Sequence, residues 1–486
     1  MNYESIGKAF LKDAKLYQKS VHKAEGCTAF VIDAGDRDVL IATEGCGFTG
    51  TPFRKGFKKW VACEENHENA VALRKNFKFT APIPALRKER TVGTGDRLGI
   101  ATPGHVRVFE KYDAYPILAQ QSIRELNLTN RTFDDVLDSA SYSVFREDFT
   151  RGFGADGDHL KKAEELEYAL GCGYTMITLD CSEHIHNEVM KLSDDEIRAA
   201  YVKNEALEEK YLGKTVTIDG IEISFDEISF KRNCLIYNEA IDFAVEIFHR
   251  FFDGRDDLDF EMSIDETETP TTPAQHYYIA NELISRGVKV VTIAPRFVGE
   301  FQKGIDYIGE LSQFKKEFEE HAKIAKHFGY KISVHSGSDK FSVFETVGKF
   351  TNGNFHLKTA GTNWLEAMAI IAEHDPALYR EIHQYALDYA FSQATAYYHV
   401  TTDLTRIPAL ETLADAELPE LFKNNDSRQL IHITYGLILN EKNADGSFRF
   451  KDRLYADWRK YADEYAGKIE HHIGRHLELL YKGFGK

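Results

Sequence analysis

Three histidines, three carboxylates and two cations of this 486-residue chain, namely His159, His335, His356, Asp158, Asp180, Glu266, Arg296 and Lys358, stand at or just past the ends of short apolar runs. Imidazoles that converge beside carboxylates match a divalent-metal site with positions left open for a substrate. His159, His335 and His356 are the candidate ligands, and Asp158 and Asp180 are carboxylates within reach of the same centre. No His-x-His or His-Glu-x-x-His spacing fixes the geometry, so Zn, Mn, Ni and Fe all stay open. Strand alternation puts Asp265 and Glu266 on opposite faces, and the expectation is that Glu266 faces Asp158 across a substrate. A carboxylate pair of that kind can remove a proton and return one. Arg296 and Lys358 offer a planar fork and a point charge for an acidic group, and Asp180 completes the substrate-binding set. The other histidines, such as His184, His186, His321, His327 and His383, lie in helices or connections and read as structural.

The elements that must hold these groups are eight strand candidates at 149–157, 176–179, 260–264, 290–294, 332–334, 355–357, 397–400 and 430–433, most of them followed by a helical pattern. Parallel strands alternating with helices, with chemistry at the strands' C-terminal ends, predict an α/β fold of the (β/α)8 TIM-barrel type. The expected division is an N-terminal α/β segment over 1–142, a barrel over 143–451 and a C-terminal helix over 452–486 packed on it. Asp219-Gly220 between two alternating runs is a hairpin signal, so 183–258 reads as a small α/β insertion between strands two and three. Gly93-Thr94-Gly95-Asp96-Arg97-Leu98-Gly99 misses the dinucleotide spacing and has no βαβ unit around it. It reads as a loop beside the barrel mouth, from which Asp96 and Arg97 can reach a substrate.

A net charge of −17 argues against nucleic acid as a partner. A small anion can still be held in a local basic or metal pocket, and a homo-oligomer stays open. No run approaches the length of a membrane span and the first residues have no signal-peptide pattern, so the chain reads as cytoplasmic. The six cysteines form no Cys-x-x-Cys pair and read as reduced structural thiols.

Arg151–Lys161 (RGFGADGDHLK), Ile177–His184 (ITLDCSEH), Val334–Lys340 (VHSGSDK) and Phe355–Thr362 (FHLKTAGT) resemble the tagaturonate epimerase family, and the Gly93–Gly104 loop extends the similarity over nearly the whole chain. The resemblance implies a metal-dependent sugar-acid epimerase of bacterial uronate catabolism that interconverts D-tagaturonate and D-fructuronate. It implies Asp158 as proton acceptor, His159 as metal ligand and Glu266 as proton donor; His335 and His356 as the remaining ligands rest on their strand-end positions. The two sugars differ at a hydroxyl-bearing carbon adjacent to neither ketone nor carboxylate, so direct deprotonation gives no stabilised enolate. Retro-aldol cleavage and re-addition is favoured over transient oxidation or stepwise enediols. Another metal-dependent sugar-acid isomerase or aldolase would use nearly the same residues.

Overall fold

The structure, a computed structural model, describes residues 2–485. The chain divides into two compact units, Met1–Ala85 with Thr94–Ala155 and Ala360–Gly474, and Leu86–Gly93 with Asp156–Thr359 and Arg475–Lys486.

The first unit begins with an antiparallel sheet of β1 (Lys15–Leu16), β2 (His22–Ala24), β3 (Cys27–Asp33), β4 (Asp38–Thr43), β5 (Thr51–Lys55) and β6 (Lys58–Cys63), in the order β1-β3-β4-β6-β5 with β2 also on β3. β3 and β4 pair as a hairpin that turns between Asp33 and Asp38. Its strands bury both faces, because alternate residues serve two cores: Ala29, Val31, Leu40 and Ala42 pack with Phe145, while Phe30, Ile32 and Ile41 pack with Trp60 and Ile6. In the helical part, buried Trp364 donates its indole N–H to Ile431 O and buried Trp458 to Ala367 O, each at 2.8 Å. A buried indole keeps its full apolar area only when that donor is satisfied.

The eight barrel strands are β7 (Arg90–Gly93), β8 (Tyr115–Gln121), β9 (Gly154–Leu160), β10 (Met176–Asp180), β13 (Asp259–Ile264), β14 (Thr292–Pro295), β15 (Lys331–Val334) and β16 (Phe355–Lys358). They close in the order β10-β13-β14-β15-β16-β7-β8-β9. The closed parallel barrel agrees with the expected fold class, but two of its strands do not sit where expected. Residues 397–400 form no strand and Tyr397 is exposed; residues 430–433 end the helix Asn425–Ile433, which Asn424 caps through Ser427 N. A short apolar run fits a strand or a buried helix equally well, and the cap decides for helix. Their places are taken by β7 and β8, from the stretch read as N-terminal segment; the Arg-Thr-Val-Gly of β7 is too short and polar to stand out beside a glycine loop.

Between β10 and β13, the fourth and fifth barrel strands in the chain, lies the insertion with its hairpin β11 (Lys214–Ile218) and β12 (Ile221–Phe225). Asp219 and Gly220 take φ of 45° and 83°, the left-handed pair that a two-residue primed turn requires. Helix Asp194–Ala200 starts at Ser193 in a capping box with Glu196, and Glu227–Phe251 runs back toward β13.

The barrel strands alternate in an unusual sense. Phe260 meets Phe248 and Phe252 at the end of helix Glu227–Phe251, so the apolar set of β13 faces outward to the helices. The inward set is Asp259, Glu261 and Ser263 on β13, Lys331 and Ser333 on β15, His356 and Lys358 on β16, Thr178 and Asp180 on β10, and Asp156 and Asp158 on β9, all buried. The usual interior of such a barrel is layered with branched apolar residues. Here it is a hydrogen-bonded polar column: Thr178 Oγ1 lies 3.0 Å from both Asp156 and Glu261, Thr292 Oγ1 donates to Glu261 at 2.5 Å, and Lys331 Nζ donates to Thr91 Oγ1 at 3.0 Å. Buried polar groups are tolerated where they find such partners, and among the described residues the Ser333 hydroxyl of this set has none.

The last turns of the C-terminal helix Ala462–Gly483 lie against Phe341–Thr351 at Gly348, where a Cβ would stand 1.9 Å from Leu480 O. Gly348→Ala must push two backbones apart and is expected to destabilise by about 2 kcal/mol, read from chemical denaturation. A loss below about 0.5 kcal/mol would mean that this close approach does not constrain the packing.

Candidate active site

The second unit gathers its ionisable side chains at the C-terminal ends of β9, β10, β13, β15 and β16. Asp158 and His159 are consecutive, and simple alternation would send them to opposite faces. Ile177 pairs with Gly157 but Leu179 with Leu160, so β9 carries one extra residue, a β-bulge, and His159 takes a left-handed φ of 53°. The bulge lets both side chains enter the site, at the cost of about 1 kcal/mol for a non-glycine residue in that region.

His159, Asp265 and His335 form a group whose ligand atoms all lie within 4.8 Å of one another. His159 Nε2 is 3.5 Å and His335 Nδ1 3.1 Å from Asp265 Oδ1. The other ring nitrogens rest on carboxylates, His159 Nδ1 on Asp158 at 2.8 Å and His335 Nε2 on Glu261 at 2.7 Å. A carboxylate behind each imidazole is the arrangement that orients a metal-binding histidine, so these donors fit a divalent cation. Asp265, expected to face away, is the third member of the group. His356 is not in it: fully buried on β16, it places Nδ1 2.9 Å from Thr91 Oγ1, a strand residue short of the rim. Burial lowers the pKa of His356 to about 3, so the ring is neutral.

Lys358 is the hub of the charges. Its Nζ lies 2.8 Å from Asp156, 2.6 Å from Asp158 and 3.0 Å from Glu261, and also donates to Thr178. Burial opposes charge on all four ionisable groups. The ammonium overrides it for Asp158 and Glu261, whose carboxyls are held well below the ordinary range, and the clustered carboxylates hold Lys358 well above its own. At Asp156 burial prevails and lifts the pKa to about 6. The same contest resolves toward ion pairs above: burial opposes it, yet Asp265 is held low by His335 and His159, and His159 is held high by Asp158 and Asp265.

The other expected site residues are spread along the rim. Asp180 is buried, accepts from Ser182 N at 2.8 Å and lies 3.5 Å from Lys161 Nζ. Glu266 follows Asp265 at the rim, 41% exposed, with Lys161 Nζ at 3.8 Å. Arg296 donates to Thr267 O and reaches Glu300 at 3.9 Å, so its guanidinium braces the loop after β13. Asp156, Glu261, Asp265 and Thr178 were missed from sequence. Their signal was there in the period of two, as in the Asp-x-Glu-x-Ser-x-Asp of 259–265.

A closed (β/α)8 barrel with histidines, carboxylates and a lysine massed at its strand ends defines a barrel enzyme built for a polar, ionisable substrate. The family model for UxaE, tagaturonate epimerase, matches residues 17–480. The chain belongs to the tagaturonate epimerase family, and it is an epimerase, an enzyme of the isomerase class. A tagaturonate/fructuronate epimerase of Thermotoga maritima is 41% identical over 483 residues, 97% of this chain and 98% of the relative. Crystal structures of the fructuronate-tagaturonate epimerase UxaE from Cohnella laeviribosi, native and with one glycerol, share 47% identity and a TM-score of 0.94, covering 98% of this chain and 99% of that one. Among the described residues no helix is long and apolar enough to cross a membrane.

Proposed function

We propose that the protein interconverts D-tagaturonate and D-fructuronate in the cytoplasm, as a step of uronate catabolism, with a divalent metal bound by His159, Asp265 and His335. The reading is carried by that three-residue group, each imidazole backed by a carboxylate, in a chain of this family. The two relatives named above act, by their names, on the same pair of sugars. A cation held there supplies Lewis acidity for a substrate oxygen and lowers the energy of negative charge upon it.

The chain's own groups fit retro-aldol chemistry. The hydroxyl at the inverted carbon lies β to the ketone. Asp158, ionised beside Lys358, accepts the proton of this hydroxyl. The new carbonyl forms as the neighbouring carbon–carbon bond breaks, and its electron pair passes into the ketone to give an enediolate and an aldehyde. The aldehyde fragment turns, the enediolate carbon adds to its other face, and Glu266 protonates the resulting alkoxide. Asp158 ends protonated and Glu266 ionised, and exchange with solvent resets both. Lys358 keeps Asp158 ionised and oriented, and Lys161 holds Glu266 and Asp180 at the rim.

The test is chelated protein supplied with either sugar and followed by ¹³C NMR while Mn²⁺, Zn²⁺, Ni²⁺ or Fe²⁺ is added back. Interconversion is expected to stop on chelation and return with at least one metal. Full turnover without metal would remove the metal from the reading, and silence with every metal would remove the substrate pair.

A further inference from the structure

The chain after β7, the end of β8 and the chain after β16 converge within the first unit. A Cβ on Gly95 would stand 2.9 Å from the Ala360 side chain and 3.2 Å from Gln120 O. Close by, Arg97 is buried at 3% exposure. Its Nε and Nη2 donate to Glu125 Oε1 at 3.0 and 2.7 Å, and the guanidinium lies 4.0 Å from the centroid of the Tyr435 ring. Its Nη1 has no hydrogen-bond partner among the described residues. A Cβ on Gly361 would lie 3.5 Å from this nitrogen, and Gly361 is the N-cap of helix Thr362–His374, whose N-terminus has no side-chain cap. At the first position of this helix Thr362 is fully buried with its hydroxyl unpartnered.

Leaving a guanidinium N–H and a hydroxyl buried without partners beside an uncapped helix end is costly, and such a cluster calls for a missing ligand. The helix end adds outward-facing N–H groups and the positive pole of its dipole. A planar cation, a hydroxyl and a helix N-terminus together match a carboxylate. Glu125 balances the charge of Arg97 from the other side, and the His432 ring packs on Gly361 where a Cβ would stand.

We propose that Arg97, Thr362 and the first turn of helix Thr362–His374 form a site for the carboxylate of a small polyhydroxy acid. The choice of ligand rests on the keto-uronate reading above. The site itself rests on the unpaired groups.

The experiment is calorimetric titration of the metal-loaded protein with D-gluconate and with D-glucitol, which differ in a carboxylate against a hydroxymethyl group. The parent is expected to prefer gluconate. Thr362→Val keeps the shape and removes only an unpartnered hydroxyl, so it folds; it is expected to weaken gluconate about tenfold. Arg97→Lys is expected to weaken it on the order of a hundredfold. Neither should alter glucitol binding. Equal binding of the two probes by the parent, as when only water fills the cluster, overturns the proposal, and so does an unchanged preference in both variants. Turnover of both sugars with KM unaltered in the variants sinks the site and leaves the epimerase reading. An Arg97-dependent preference in a parent that turns over neither sugar does the reverse.

Discussion

Asp265→Asn is expected to empty the metal site and lower kcat/KM on the order of a thousandfold, the loss of about 4 kcal/mol of charge stabilisation. Asp265 is the group between His159 and His335, with an oxygen 3.5 Å from one ring and 3.1 Å from the other. An amide keeps the shape but loses the charge that favours a cation over two competing protons. Glu266→Gln supplies the contrast. That residue lies at the rim against Lys161, outside the three-residue group, so its variant should retain the metal while turning over slowly. Metal content by mass spectrometry and steady-state rates on both variants decide the matter. A fully metallated, fully active Asp265→Asn protein would return the third ligand position to another residue.

Lys358→Met is expected to cost about 3–5 kcal/mol of folding stability at about pH 8, because it leaves Asp156, Asp158 and Glu261 buried without their cation. The gap between parent and variant should also narrow as pH falls. In the parent, Asp158 and Glu261 have folded pKa values depressed well below the unfolded ones. Their contribution is present above the unfolded carboxylate values, near pH 4, and is lost as pH falls through the folded ones. Without the ammonium, burial and mutual repulsion raise these carboxyls, so protonation favours the folded state and the variant regains stability as pH falls. Urea melts of both proteins at about pH 8 and about pH 5 measure this. A gap between parent and variant that stays the same at both values would refute the account.

The barrel and much of its rim could be read from sequence because their signals are local. Six of the expected strands overlap barrel strands, and Leu311–Phe328 and Pro273–Ser285 carry their own periodicity and caps. Local signals also placed Asp158, His159, Asp180, His335 and Lys358 at strand ends, and the structure brings Asp158, His159, His335 and Lys358 into one hydrogen-bonded set with Asp265 and Glu261.

What the chain alone determined, then, was the period-two strands, the Asp219-Gly220 turn and the polar residues available at each end. Tertiary structure decided which of them meet. Which face of a polar–apolar strand turns inward depends on what covers its outside, and here helices take the apolar side and leave the polar side to fill the barrel. An extra residue in β9 sends His159 the same way as Asp158, a register fact that appears only once β10 is paired beside it. Closure of the sheet chose Arg90–Gly93 and Tyr115–Gln121 over two more apolar runs, because a barrel is completed by whichever segments pair with its open edges.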